Sequence, residues 1–327
     1  MTIININISK ETLRAVLGLL ISIFIIAGCS TDVEDKAIVP IKKTVVSDIE
    51  YAVSIDSSGQ PRHLFLDIYT PPKISENQIF PVVLFMHGGG YQFGDKDWVK
   101  DCCKILADSG FVVANMNYRM GWRETVGCAG DTNTLEQAQY RGAQDANAAL
   151  RFLDLNAANY NIDPEWIFIG GESAGAAIAL NCSYMTDVDM EIKHPGLVAR
   201  LGKLQNPGYE LSNRYKIKGI CNKWGCISDS NLITQYNAIP TISFHGTFDP
   251  FIPVDTGYFL GCHQVRAFGS VWINRQLQVL NCPSILQIEQ GGGHPPKKFT
   301  PEITMPKTAS FFHQIMAGKA KSAVIIE

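Results

Sequence analysis

The stretch Ile167-Phe168-Ile169-Gly170-Gly171-Glu172-Ser173-Ala174-Gly175-Ala176-Ala177 decides how this chain folds. A short run of apolar, strand-favouring residues ends in Gly-x-Ser-x-Gly, and small residues that tolerate a helix follow. This order predicts a buried strand, a sharp turn and a helix that begins at once. A Cβ atom at Gly171 or Gly175 would collide with a neighbouring strand or helix. The pattern therefore places Ser173 at the tip of a strained turn.

The rest of the chain alternates between predicted strands and helices. A hairpin is predicted at residues 45–55 and 63–69, and further strands at 81–86, 111–117, 166–170, 217–222, 239–245 and 284–289. Helical patterns lie between them at residues 98–109, 134–156, 256–264 and 270–280, and a last one at 308–316. This alternation is typical of a mostly parallel sheet with helices on both faces. We expect an α/β fold of about eight strands with the hairpin as an antiparallel edge.

Ser173 needs a base, because a serine hydroxyl is a weak nucleophile until its proton is removed. The usual base is a histidine that a carboxylate orients. Of the seven histidines, His294 follows the last predicted strand in a glycine-rich loop and reaches the same sheet edge as Ser173. His245 also ends a strand, where we expect a structural hydrogen bond. His294 is therefore the predicted base.

The acid that orients His294 is expected in the loop after the preceding strand. The stretch His245-Gly246-Thr247-Phe248-Asp249-Pro250 supplies Asp249 there, and Asp255 and Asp229 are the alternatives. A surface turn before proline is the other interpretation of Asp249. The order Ser173, Asp249, His294 is a known order for such a triad.

Donors for a developing oxyanion are expected at two places. One is the backbone N–H of Ala174, directly after the serine. The other is the His87-Gly88-Gly89-Gly90 loop, where the lack of side chains lets the backbone approach a substrate. We predict Gly89 and Gly90 as donors, ahead of Gly88. Glu172, inside the turn, either buttresses the site through an ion pair or has no chemical role.

These motifs together resemble the esterase and lipase branch of the α/β-hydrolase superfamily. The His-Gly-Gly-Gly motif is similar to that of hormone-sensitive-lipase-like and type B carboxylesterases. The stretch from His245 to Asp249 is similar to the acetyl-xylan and feruloyl esterase group. The resemblance implies an α/β-hydrolase fold and a serine carboxylic-ester hydrolase without metal or cofactor. Its expected substrate is a small-molecule or polysaccharide-linked ester, of a short-chain, acetyl or feruloyl type.

The chain departs from the hormone-sensitive-lipase pattern in having no N-terminal helical cap. We therefore expect a fairly open site that residues 186–215 would screen. Tyr91, Trp224, Phe248 and Phe251 are candidate lining residues, although packing in the core is an equally good interpretation of each.

Three other functions are compatible with parts of the pattern. A serine peptidase or amidase would use the same fold, but its prolyl-oligopeptidase relatives carry a propeller domain that this chain lacks. A polyester hydrolase would use the same site. A non-catalytic binding or adhesion protein of this fold would typically lose the serine or the histidine, whereas this chain keeps both.

The composition argues against some classes of partner, and it leaves the disulfide pairing of the cysteines undecided. The net charge of −3 gives no indication of nucleic-acid binding, and 46% hydrophobic residues suffice for a large core. The chain has no CxxC or HExxH motif that would indicate a metal site. With Cys29 set aside, eight of the nine cysteines remain, which in an exported protein permits up to four disulfides. Cys262 and Cys282 are the favoured pair.

The N-terminus predicts export and lipid attachment. Lys10 and Arg14 precede an apolar run at residues 15–28, which is short for a membrane span. Ile26-Ala27-Gly28-Cys29 resembles a bacterial lipobox, and an ordinary secretory signal is the alternative. We expect a signal peptide at 1–28, a lipidated Cys29 with a tether at 29–44, and one catalytic domain at 45–327. The protein would then be anchored on the periplasmic or outer face of a bacterial membrane.

Replacing the predicted lipid acceptor tests this interpretation. Cys29→Ala is expected to move the protein from the membrane fraction to the soluble fraction, because the acyl chains provide the attachment. Immunoblotting of separated fractions measures the shift. An unchanged distribution would rule out lipid anchoring at Cys29.

Overall fold

The computed structural model describes residues 45–72, 75, 78–123, 132–205, 215–261 and 265–327. The predicted signal peptide, Cys29 and the tether lie outside these residues, as do Cys128 and Cys262. Among the described helices, none is long and apolar enough to cross a membrane.

Within the described residues, the core is a nine-stranded sheet with the order β1-β2-β4-β3-β5-β6-β7-β10-β11. Its strands are β1 (Val45–Ile55), β2 (Pro61–Tyr69), β3 (Phe80–Met86), β4 (Val112–Met116), β5 (Ile162–Glu172), β6 (Ile217–Lys223), β7 (Thr241–Gly246), β10 (Ser284–Glu289) and β11 (Ala323–Ile326). β1 and β2 pair antiparallel, β2 pairs antiparallel with β4, and all later neighbours pair in parallel. The predicted mostly parallel sheet with an antiparallel hairpin at its edge is confirmed. The edge strand β11 was not predicted.

Helices cover both faces of the sheet, as predicted. They are α1 (Lys100–Asp108), α2 (Thr132–Leu155), α3 (Ala174–Tyr184), α4 (Asp187–Lys193), α5 (Leu197–Leu201), α6 (Ser270–Val279) and α7 (Pro301–Met316). Helices α1 and α7 pack on one face, around Phe111, Phe168 and Phe312. Helices α2, α3 and α6 pack on the other. Because both faces are covered, β3 and β4 are buried along their whole length.

The predicted helix at residues 256–264 is wrong. The chain there forms β8 (Thr256–Tyr258), which pairs antiparallel with β9 (Arg266–Phe268). A short 3-10 turn at Phe259–Gly261 follows β8, and residues 262–264 lie outside the described part. Pairing with β9 overrides the local helical pattern, because it satisfies the backbone and places Arg266 over the Tyr258 ring.

The prediction of disulfides among the described cysteines is also wrong. Six cysteines, Cys102, Cys103, Cys182, Cys221, Cys226 and Cys282, are free thiols. Cys282, the expected partner of Cys262, is one of them. The six thiols lie on separate segments of the chain, except that Cys102 and Cys103 are consecutive in one helix. Burial raises the pKa of Cys282 to about 11, so this thiol is unreactive near neutral pH.

A buried ion pair ties the end of β4 to helix α2. The Arg119 guanidinium donates to both carboxylate oxygens of Asp145 at 2.7–3.1 Å, and both side chains are almost fully buried. Arg119 also donates to the side chain of Gln144 and to the carbonyl of Ile55. The guanidinium thus joins the β1–β2 hairpin to α2.

Removing one partner of this pair is expected to destabilise the fold. Asp145→Ala leaves the Arg119 charge buried without its counter-ion, and we expect a loss of about 3–5 kcal/mol in the free energy of unfolding. Urea denaturation measures this loss. The matched control is Asp101→Ala, which breaks the exposed Asp101–Lys104 pair and should cost less than about 1 kcal/mol. Equal effects of the two variants would contradict the structural role given to Asp145.

Candidate active site

Ser173 lies at the turn between β5 and α3 with a φ of +53°, a conformation rare for residues other than glycine. Its backbone N–H donates to the carbonyl of Lys223 at 2.9 Å. A Cβ atom at Gly171 would lie 2.6 Å from the Gly175 backbone, and one at Gly175 would lie 2.4 Å from the carbonyl oxygen of His87. Both glycines are needed for the steric reason expected from the sequence.

His294 and Asp249 complete a hydrogen-bonded line with Ser173. The Nε2 atom of His294 lies 2.8 Å from Ser173 Oγ, and its Nδ1 atom lies 2.6 Å from Asp249 Oδ2. With the proton on Nδ1, the ring donates to Asp249 and accepts from the serine hydroxyl. The structure therefore brings together the three residues that the sequence singled out, in an arrangement suited to nucleophile activation.

The Asp249 carboxylate is fully buried and has four polar contacts. The backbone N–H groups of Phe251 and Ile252 both donate to Oδ1 at 2.9 Å, and His245 Nε2 lies 3.2 Å from Oδ2. Burial alone would raise the pKa of Asp249, but the contacts with His245 and His294 outweigh burial and hold this pKa well below its usual range. Asp249 is therefore charged at neutral pH.

The contact between His245 and Asp249 was not predicted. Sequence reasoning expected only a structural role for His245, and the ring does bind Ser270 Oγ at 2.8 Å and the Ile252 carbonyl at 3.1 Å. The signal was present in the four-residue spacing from His245 to Asp249, which lets the loop after β7 fold back over the strand end.

The two alternative acids, Asp255 and Asp229, contact other groups. Asp255 pairs with Arg275 at 2.6 Å on the surface. Asp229 accepts from the backbone N–H of Asn231 at 2.8 Å within its own turn. Within the described residues, neither aspartate contacts His294.

The glycine loop lies against the serine, as expected for a source of oxyanion donors. It directly follows β3, and Gly89 and Gly90 have φ values of +111° and +60°. A Cβ atom at Gly88 would lie 3.2 Å from Ser173 Cβ. Tyr118 Oη donates to the Gly88 carbonyl at 3.2 Å and so fixes this peptide. Within the described part of the chain, the N–H groups of Gly89, Gly90 and Ala174 have no acceptor.

A cavity of about 590 Å³ opens over Ser173. Its wall is mainly aromatic and apolar, with Phe93, Trp98, Trp122, Trp224, Phe251, Ile252, Phe259 and Leu260. Of the four residues expected to line it, Trp224 and Phe251 do so, whereas Tyr91 is buried and Phe248 is exposed to solvent. No residue of the described range 186–205 lines it, so that range does not screen the site. Loops at 88–98 and 251–260 do instead.

The described residues hold no group of three or more His, Cys, Asp or Glu side chains arranged for a metal ion. His87 stacks on Tyr118, and His63 pairs with Glu50. These histidines therefore have structural partners.

The sheet order, the turn at Ser173 and the line through His294 to Asp249 define an α/β-hydrolase. The chain belongs to the BD-FAE family, whose model matches residues 66–236, just over half of its length. The expected relationship to esterases is confirmed.

Individual relatives agree with this assignment. Esterase E4 of Myzus persicae is 32% identical over 136 residues, which are 41% of this chain and 24% of that protein. The matched segment thus spans about a quarter of that relative's length. A truncated carbohydrate esterase from gut microbiota superimposes with a TM-score of 0.57 at 18% identity, over 85% of this chain and 98% of the other. Esterase 2 of Thermogutta terrifontis, phosphorylated by paraoxon, superimposes with a TM-score of 0.54 at 18% identity, over 87% and 97%. At such identities, the superpositions show the shared fold.

The depressed pKa of Asp249 predicts a pH dependence of stability. A carboxyl group with a lower pKa in the folded state stabilises the fold above its unfolded pKa of about 4, and this contribution is lost as the pH falls through the folded value. The loss of unfolding free energy between pH 6 and pH 3 should therefore be smaller in Asp249→Asn than in the wild type. Urea denaturation at both pH values measures it.

The exposed Asp101→Asn variant is the control and should keep the wild-type pH dependence. If Asp249→Asn and wild type lost the same free energy between these pH values, Asp249 would not be the ionised, hydrogen-bonded carboxylate described above.

Proposed function

We propose that the protein is a serine hydrolase of carboxylic esters. The observation that carries the proposal is the line from Ser173 Oγ to His294 Nε2 at 2.8 Å and from His294 Nδ1 to Asp249 at 2.6 Å. The esterase names of the relatives and of the superimposed structures support it. Unlike a non-catalytic member of the fold, the chain retains every member of the triad.

The proposed reaction proceeds through an acyl-enzyme. Ser173 Oγ attacks the ester carbonyl carbon while His294 Nε2 takes the hydroxyl proton. The N–H groups of Gly89, Gly90 and Ala174 hold the negative carbonyl oxygen. The carbon–oxygen bond to the alcohol then breaks, and His294 returns the proton to the leaving oxygen.

Water completes the cycle by the same route. His294 Nε2 removes a proton from a water molecule as its oxygen attacks the acyl carbon. The bond from that carbon to Ser173 Oγ then breaks, His294 returns the proton to Oγ, and the carboxylic acid leaves. Throughout both halves Asp249, charged at neutral pH, holds the ring in the tautomer that accepts at Nε2 and stabilises the imidazolium that forms.

The cavity supports short-chain, acetyl or feruloyl-type esters as substrates. Its volume of about 590 Å³ is in the range of small-molecule sites, and its aromatic wall suits a planar acyl group. Phe93 and Trp98 are more than half exposed at its rim, so the alcohol portion can extend into solvent, as in an ester on a polysaccharide. The likeness to a carbohydrate esterase agrees with this choice.

The proposed setting is a bacterial membrane surface, with the enzyme attached through lipid on Cys29. This part of the proposal is based on the N-terminal sequence. Free thiols in the fold are compatible with export, because burial raises the pKa of Cys182 and of Cys226 to about 12 and so suppresses the reactive thiolate.

Replacement of the nucleophile tests the reaction. Ser173→Ala should lower the rate of p-nitrophenyl acetate hydrolysis at least about a thousandfold, because no acyl-enzyme can form. The control is Ser183→Ala on α3, whose hydroxyl donates to the Ala179 carbonyl within the helix and whose loss should leave the rate within about twofold. A fluorophosphonate probe should label the wild type at Ser173. Equal hydrolysis by the wild type and Ser173→Ala would refute the proposal.

A further inference from the structure

A fully buried lysine lies directly below the nucleophile turn. Lys223 ends β6 beside Glu172, which ends β5, and the two residues are paired across the strands. The Lys223 ammonium donates to Glu172 Oε1 at 2.5 Å and approaches Cys102 Sγ at 3.6 Å. Its side chain has no exposed surface, whereas about a quarter of the Glu172 side chain is exposed. The sequence left open whether Glu172 has an ion-pair partner, and Lys223 is that partner.

The position of Glu172 makes this partner necessary. Glu172 precedes Ser173 and lines the cavity in which the substrate oxygen becomes negative. A carboxylate without a counter-ion there would oppose the oxyanion, and it would favour the protonated form of His294, which cannot act as a base. The Lys223 charge cancels both effects at close range. Burial alone would lower the pKa of Lys223, but Glu172 outweighs burial and raises it, so the ammonium stays charged.

Lys223 is also linked to His294 through the ring of Trp224, which contacts both residues. Its Nζ atom lies 4.8 Å from the centroid of the Trp224 ring, in a cation–π contact. The Trp224 ring meets His294 edge to face, with centroids 6.3 Å apart. Trp224 itself has a φ of +47° and donates its backbone N–H to Phe244 at 2.8 Å. The side chain of Lys223 therefore supports the ring that packs against the base.

The backbone of Lys223 makes a third contact with the site. Its carbonyl accepts the hydrogen bond from the Ser173 N–H at 2.9 Å. One residue thus contacts the nucleophile, the carboxylate beside it and the aromatic neighbour of the base.

We propose that Lys223 is a positioning residue that neutralises Glu172 and holds Trp224 against His294 during ester hydrolysis. The inference deepens the proposed function and rests on it. It assigns to the ion pair beside Ser173 a role in cancelling the Glu172 charge next to the reacting carbonyl before the oxyanion forms.

The charged and titratable groups around the pair are few. Those coupled to Lys223 are Glu172, the thiols Cys102, Cys103 and Cys221, and the exposed Glu302 at the start of α7. Those in contact with His294 are Asp249 and Ser173, and His245 lies behind Asp249. Only the Lys223–Glu172 pair is changed in the test below.

Three variants distinguish an effect of the Lys223 charge from a purely structural effect of its side chain. Lys223→Met leaves Glu172 uncompensated, Glu172→Gln leaves Lys223 uncompensated, and the double variant removes both charges. The NMR titration of the His294 ring, assigned by its loss in His294→Gln, should move to higher pH in Lys223→Met and to lower pH in Glu172→Gln. Each shift should be on the order of one pH unit, as a nearby unit charge produces at an effective dielectric constant of about 20. The double variant should return to within about 0.3 units of the wild type, as expected when the net charge is restored.

The rate of ester hydrolysis should also depend on the charge balance of the pair. In Lys223→Met the acid limb of the pH profile of kcat/KM should move to higher pH, following the His294 titration. The value of kcat should fall about tenfold, because the uncompensated carboxylate opposes the oxyanion. The double variant should recover most of this loss. A merely structural lysine would give no shift of opposite sign in the two single variants and no recovery in the double variant.

The matched control is Lys218→Met. Lys218 is on the same strand, with its Nζ atom 5.7 Å from the centroid of the Trp166 ring, but it lies at the other end of β6. It should leave the His294 titration and the rate unchanged. An identical His294 titration in wild type and all three pair variants would overturn the inference. Because that titration does not require catalysis, it is independent of the hydrolysis test, whose failure would refute the proposed function instead.

Discussion

The close contact between the turn at Ser173 and the end of β3 is the constraint on which the site depends. The backbone at Gly175 approaches the carbonyls of Met86 and His87 so closely that a Cβ atom there would lie 2.4 Å from either oxygen. The contact allows Ser173 its positive φ, and it also places the loop that continues from His87 beside the serine hydroxyl. Ser173 and the proposed oxyanion donors are therefore positioned together by one backbone contact between the start of α3 and the end of β3.

Buried charges collect at the same edge of the sheet, and each has a partner there. Glu172 and Lys223 end neighbouring strands, and Asp249 lies just after β7 between His245 and His294. A buried charge that gave up water without gaining a partner would cost several kcal/mol. At the carboxyl edge, backbone N–H groups and side chains of adjacent loops supply hydrogen bonds instead. The ionised groups of the candidate site are thus stabilised at the ends of the strands.

The parts predictable from sequence were those fixed by local pattern and by strand direction. Ser173, Asp249 and His294 each follow a strand, and because parallel strands end at one edge, separate motifs could be assembled into one site. The cavity wall was harder to predict, since Trp122 and Phe259 come from loops whose paths depend on distant contacts. The Lys223–Glu172 pair has no motif either, because it depends on the register of β5 against β6. At residues 256–258, pairing with β9 decided the structure against the helical pattern.

The aromatic wall of the cavity and the ion pair below it are linked by the same electrostatic argument. Rings such as Trp122, Trp224 and Phe259 line the cavity over Ser173, and a bound substrate would replace the water there, which lowers the local dielectric constant. A lower dielectric constant strengthens the contacts of backbone N–H groups with an oxyanion, but it strengthens repulsion from Glu172 equally. In the proposed reaction, a carboxylate next to Ser173 therefore needs a counter-charge close to it once substrate has displaced the water. Lys223, at 2.5 Å from that carboxylate and without exposed surface, meets this condition.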